Sequence, residues 1–259
     1  MQTLESFLKR DYWFSIGALI LLLVLAWSWL LAGAGMGMTA MDMTRMPADM
    51  PMPVADWTPA YVVLMFCMWW IMMIAMMLPS TAPVILLAAA LNRRVGTDNL
   101  PYGASIYFAC GYLLAWGFFS LLAVVAQWQL QNSGLLSGTL VITDSTLAGV
   151  LLIAAAIWQL TPLKQACLRQ CRDPIRFLTA RKRSGNRGAL MMGLEHGAYC
   201  LGCCWFLMAL LFVGGVMNLY WIIGLAVFVA MEKLLPFGRQ AGMLVAVGLG
   251  VWGLLLVIA

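Results

Sequence analysis

The sequence predicts an all-α, polytopic membrane helix bundle of about seven transmembrane helices, with the N-terminus inside and the C-terminus outside. Three observations predict it. Hydrophobic residues make up 64% of the chain and charged residues only 10%, whereas a soluble domain carries about a quarter charged residues. Apolar runs reach the ~20 residues that a helix needs to cross a bilayer. The alternation that marks a membrane β-strand is absent, and helices satisfy their own backbone hydrogen bonds in lipid. The chain, 1–259, reads as a single integral membrane domain.

The first span runs from about Tyr12 to Gly33, after Lys9 and Arg10. Its apolar run is too long for the core of a signal peptide. The second runs from Tyr61 to Ser80 and continues helically towards Asn92. The third covers Tyr102 to Trp128, the fourth Thr146 to Leu163, and the fifth Ala189 to Val216. The sixth covers Asn218 to Leu235, after a tight turn, and the last Gln240 to Ala259. Between the first two lies a methionine-rich outer loop, 35–58, and between the fourth and fifth a basic cytoplasmic segment, 164–188.

Orientation follows from the cations. With the N-terminus inside, fourteen of the fifteen Lys and Arg residues fall on the cytoplasmic side, and only Arg45 lies outside. The outer loops hold Asp42, Asp49, Asp56 and Asp144 instead. This is the positive-inside pattern. It accounts for the net charge of +5 without nucleic acid, which is not an expected partner. The lipid bilayer is, and the basic segment suits an anionic inner leaflet.

The residues that carry chemistry are sulfur ligands and one imidazole. The fifth span contains His196, the sole histidine, with Cys200, Cys203 and Cys204. At 100° per residue, His196, Cys200 and Cys203 fall within ~60° of one another, with Cys204 ~80° from His196. Soft thiolates and imidazole suit Cu(I), with Zn(II) as a second candidate. In the second span Met68, Met72 and Met76 share a stripe. Thioethers select Cu(I) or Ag(I) over harder ions. Counting 1.5 Å per residue, Met72 and Cys200 both fall ~15 Å into a ~30 Å core. A mixed site between these spans therefore requires only that they face each other. In the outer loop Met36, Met38, Met41, Met43, Met46, Met50 and Met52 crowd into seventeen residues. Their spacings resemble the methionine-rich copper arms of periplasmic and transporter proteins. At the inner face Cys167 and Cys171 are spaced i,i+4 and flanked by cations, so both point the same way as a delivery or exit site. Glu232 and Lys233 stand near the interface, where a pair can snorkel as an anchor; Glu232 is also placed to reach Lys164. Cys67 and Cys110 look like packing residues. For every sulfur group the plain alternative is packing, since Met and buried Cys behave as adaptable hydrophobes.

Several of these pieces recur together in a known family. They are Trp70, the Ala75-Met76-Met77-Leu78-Pro79-Ser80 stretch and Pro83, then Thr161-Pro162-Leu163-Lys164 with Cys167 and Cys171. Gly202-Cys203-Cys204-Trp205, Met208, Gly215, Met217, Asn218, Glu232 and Lys233 complete the set. In that order they resemble an uncharacterised bacterial family of predicted metal-binding integral membrane proteins. The resemblance implies a metal role and a bacterial inner (cytoplasmic) membrane location. It names neither the metal nor a reaction, and copper rests on the residues above.

The expectation is a membrane protein that captures or relays a soft metal ion, Cu(I) first, across or within the membrane. A metallochaperone or a larger membrane complex is the expected class of protein partner. No nucleotide-binding or nucleophile motif is present, so no catalytic residue is assigned and a binding role is favoured over an enzyme. Two alternatives stay open. One is a thiol-disulfide carrier using Cys200 and Cys203. The other is an accessory subunit of a membrane metalloenzyme complex, docking through Gly193-x-x-x-Gly197 and the glycine-rich last span.

Overall fold

The computed structural model describes residues 2–47, 56–93, 103–181, 183 and 185–258. Met50 and Met52 lie outside them. The described residues form eleven helices: α1 (Gln2–Leu31), α2 (Ala40–Arg45), α3 (Pro59–Arg93), α4 (Gly103–Asn132), α5 (Ser145–Leu160), α6 (Pro162–Arg172), α7 (Pro174–Ala180), α8 (Gly185–Ala209), α9 (Leu211–Gly214), α10 (Leu219–Leu234) and α11 (Gly238–Ile258). Four stretches, in α3, α4, α8–α9 and α11, are long and apolar enough to cross a membrane. A fifth is added if α5 and α6, bent by 64° at their junction, count as one. At sixteen residues each, α5 and α10 are short for a crossing.

Local chemistry places the helix ends. Asp144 caps α5 by accepting from Leu147 N at 2.6 Å, and Asn218 caps α10 through Tyr220 N at 3.0 Å. Thr161 stops α5 and caps α6, accepting from Lys164 N at 3.2 Å, with Pro162 in the first turn. A capping oxygen satisfies an amide that the helix itself cannot, and proline is pre-set for that position. The Thr161-Pro162 step is thus the elbow that turns α6 away from α5. Helix α3 runs through Pro79 and Pro83 without ending. Ser80 Oγ donates to Met77 O at 2.9 Å, occupying one carbonyl near the proline.

Small residues set the packing. A Cβ on Gly193 of α8 would lie 2.0 Å from Phe108 O of α4, and one on Gly197 2.5 Å from Ala115 Cβ. The Gly193-x-x-x-Gly197 pair is therefore occupied inside the chain, by α4. Gly149 and Gly253 do the same for α5 and α11, each placing an added Cβ 2.7 Å from the other's carbonyl oxygen. Gly248 of α11, by contrast, faces open space.

The exterior is apolar. Leu244 is 75% exposed, and Val247, Leu255, Phe118 and Val125 stand out beside it on α11 and α4. The interior is richer in sulfur and polar groups: Met65, Met68, Met72, Met73, Met76 and Met77 of α3 are all buried, as are Gln127, Gln159, Lys164, Glu232 and Lys233. This inverts the usual soluble arrangement, in which large exposed apolar surfaces are rare.

Candidate metal centre

Cys200, Cys203 and Cys204 sit on one buried face of α8. Cys203 Sγ and Cys204 Sγ both turn back onto Cys200 O, at 3.0 and 2.8 Å, which keeps the thiols together. Four other helices close around them. From α6, the Cys171 thiol hydrogen-bonds to Cys200 and Cys203. From α3, Met77 Sδ stands 4.0 Å from Cys204 Sγ. From α4, Tyr112 OH lies 3.2 Å from Cys200 Sγ and accepts from Thr81 Oγ1 at 2.8 Å. From α10, Lys233 Nζ lies 2.9 Å from Cys200 Sγ, 3.3 Å from Ser80 Oγ and 3.8 Å from Met77 Sδ.

Lys233 is 5% exposed, and among the described residues no carboxylate pairs with it. An isolated buried ammonium is very costly. Cys200 is the acid in reach, and a thiolate–ammonium pair carries no net charge. The hydrogen bonds to Cys200 and Cys203, with burial, push the Cys171 thiol well above its ordinary range.

The neighbouring residue, Glu232, belongs to a second buried network. Lys164 Nζ donates to both its carboxylate oxygens, at 2.8 and 2.7 Å, and Gln159 Nε2 donates to Oε1 at 2.6 Å. Lys164 also donates to Gln159 Oε1. Arg172 Nη2 donates to Leu235 O at 2.8 Å. The elbow between α5 and α6 is thereby clamped to the end of α10, and the same clamp holds Cys171 and Lys233 in register against α8. The expected reach of Glu232 to Lys164 is present. The snorkelling anchor is not: both members of the Glu232-Lys233 pair are buried, because each finds a partner inside the bundle.

His196 lies one turn from Cys200 and is buried in a cage of aromatic rings. Its ring centroid is 5.0 Å from that of Phe177 and 6.0 Å from those of Phe108 and Tyr112. Among the described residues Nδ1 has no hydrogen-bond partner, an uncommon state for a buried nitrogen. Tyr112 connects the two groups, with its ring on His196 and its hydroxyl on Cys200.

The remaining sulfur residues are distributed as follows. Cys167 is half-buried, beside Gly202 and close to Cys203. Met68, Met72 and Met76 are buried along α3, whereas the methionine that touches the thiols is Met77. Helices α3 and α8 make little backbone contact; their side chains meet across the centre. Met36, Met38 and Met43 are half-buried and Met41 is exposed, near the start of α10. The thiols instead adjoin its end. Lys233, Tyr112 and Met77 are not among the sequence-predicted ligands. Met77 and Lys233 do fall in the motifs shared with the resembling family, and the adjacent Glu232 and Lys233 in an otherwise uncharged helix are a further signal; nothing marks Tyr112 among the seven tyrosines.

Among the described residues, no three or more His, Cys, Asp or Glu side chains form a ready-made metal shell. The thiols are held by hydrogen bonds that an arriving ion would replace. Two thiolates in line suffice for Cu(I), whereas structural Zn(II) asks for four ligands in a tetrahedron.

Fold and site together define an all-helical bundle, apolar outside, built around thiols, thioethers and the buried amine of Lys233. A family model described as copper chaperone, PpoB2, matches residues 66–256, and the chain belongs to that family. The match begins within α3, so α1 and the methionine loop precede it. No curated protein and no solved structure matches the chain.

Proposed function

We propose that this protein sits in the bacterial inner membrane and captures or relays Cu(I) across or within it. Cys171, Cys200, Cys203 and Cys204 form the holding site, with Met77 beside them and His196 one turn away. Met68, Met72 and Met76 line the approach along α3, and Cys167 adjoins the way out at the cytoplasmic end. The single observation that carries this reading is Lys233 against Cys200 within a group of four thiols. Cu(I) held by two thiolates has a charge of minus one, and the Lys233 ammonium cancels it. A neutral loaded site is what a low-dielectric interior requires. A four-coordinate Zn(II) site draws no such support from the arrangement.

The membrane location is supported by the apolar exterior of α4 and α11 and by the spans in α3, α4, α8–α9 and α11. Seven spans with the N-terminus inside and the C-terminus outside put fourteen of fifteen cations in the cytoplasm. A soluble metallochaperone is the expected partner at the basic face, because a relay needs a donor or acceptor. Of the glycines that suggested an accessory subunit, Gly193 and Gly197 pack against α4 and Gly253 against Gly149, while Gly248 faces open space and leaves that alternative to the same experiment.

The test is metal content by mass spectrometry on protein purified under reducing conditions, beside Cys200→Ser/Cys203→Ser/Cys204→Ser. About one copper per chain, lost in the variant, is the expected result. Wild type that stays metal-free after Cu(I) is supplied would overturn the reading.

A further inference from the structure

A second set of sulfurs converges at the other end of α10. Met36, Met38, Met43 and Met217, with Gly138, Thr139 and Leu140, line a cavity of about 30 Å³. That is room for a single ion or water. Four of the seven lining residues are thioethers, and they come from separate parts of the chain: the loop before α2, α2 itself and the turn before α10. Roughly 24 Å of helix separates Met217 from Lys233, so this cavity is distinct from the buried thiols.

The loop is built to hold this shape. Gly33 has φ +88°, and a Cβ there would lie 1.6 Å from Met38 O, so the chain folds back on itself only because the residue is glycine. Thr39 caps α2 and closes a capping box with Asp42. Thr44 Oγ1 accepts from Leu219 N at 2.9 Å, fastening α2 to the first turn of α10. Met36 and Met43 pack against the core, and Met217 is buried. A loop serving only to connect two spans has no need to gather thioethers around a void.

We infer that Met36, Met38, Met43 and Met217 form a thioether site for a soft monovalent cation, Cu(I) or Ag(I), at the outer face. The inference takes the identity of the cargo from the copper reading but uses none of the same sulfurs. Thioethers carry no proton, so this site binds without releasing one and keeps its ion in acid, where thiols are protonated. It is a capture site suited to an oxidising compartment, where thiols would be lost to disulfides.

The test counts bound silver by mass spectrometry on the full chain in lipid nanodiscs loaded with Ag(I), a redox-inert soft ion. Leucine replaces methionine with little change of volume, so the variants keep the fold. Met38→Leu/Met217→Leu is expected to lose one silver per chain or to bind it at least ~10-fold more weakly. Met36→Leu/Met43→Leu, which removes the other two sulfurs, is expected to do the same. Met243→Leu, exposed on α11 and outside the cavity, keeps the wild-type count. At a pH of about 5 the silver lost in the methionine variants is still present in wild type and in Cys200→Ser/Cys203→Ser/Cys204→Ser. Wild-type silver in both methionine double variants, or an equal loss in Met243→Leu, overturns the outer site. If the cysteine variant instead retains every ion at neutral pH, the buried-site reading falls and the outer site stands.

Discussion

Lys233 Nζ lies 2.9 Å from Cys200 Sγ, with both side chains buried and no carboxylate on the lysine among the described residues. The last turn of α10 thus places a positive charge where the proposed Cu(I) dithiolate would need one. Lys233→Met keeps the length of the side chain and removes that charge. Cu(I) affinity, measured by competition with a chromogenic chelator, is expected to fall at least ~10-fold, about 1.4 kcal/mol, and Lys233→Arg to recover part of it. Unchanged affinity in Lys233→Met would remove the counter-ion role.

The Cys171 thiol is held protonated by its hydrogen bonds to Cys200 and Cys203 and by burial. To become a ligand it must lose that proton, so loading releases it. The sign follows: affinity rises with pH, by about tenfold per pH unit for each proton released, at pH values below the thiol's raised pKa. A titration of Cu(I) affinity from acid to neutral pH is expected to show this slope, and Cys171→Ser to flatten it. A slope identical in the two proteins would place the released proton elsewhere.

Lys164 and Glu232 form a buried ion pair at 2.7 Å. Removing one partner strands the other, at a cost of about 3–5 kcal/mol. Glu232→Leu and Lys164→Met are each expected to lower the apparent melting temperature in detergent substantially. The double variant is expected to recover most of the loss. Additive losses would show that the two residues do not act as a pair.

Gly193 admits no Cβ without parting α4 from α8, because the atom would sit 2.0 Å from Phe108 O. Gly193→Ala is expected to cost about 1–3 kcal/mol through overpacking. An added Cβ on Gly248 meets nothing within 4 Å, so Gly248→Ala is expected to be neutral or to gain a few tenths of a kcal/mol, up to ~1, from helix propensity. Melting curves of the two variants decide this.

Orientation is open to a direct test. Alkaline phosphatase fused after Ala259 is expected to be active in cells, and a fluorescent protein at the same point to stay dark. Labelling of Arg187→Cys by an impermeant maleimide is expected only after the membrane is opened. The opposite pattern in both would reverse the topology.

Much of this molecule is written locally. Apolar runs with few charges can only be helices in an apolar solvent, and α1, α3, α4, α5, α8, α10 and α11 lie where those runs do. A period of 3.6 residues brings His196, Cys200, Cys203 and Cys204 to one face of one helix, whatever surrounds it. The capping residues Asp144, Thr161 and Asn218 mark their own helix starts. The site itself was decided by tertiary structure. Met77 reaches Cys204 across 127 residues and Lys233 reaches Cys200 across 33, and no local period reports contacts between elements so far apart. Cys171 joins the thiols only because the elbow at Thr161 turns α6 through 64°. Met72 and Met77 look alike in sequence; which one meets a thiol depends on how α3 is rotated against its neighbours. Met217 becomes the fourth wall of the methionine cavity only once α2 is fastened to α10. Helix periodicity sets what each face carries, and packing between distant helices sets which faces meet.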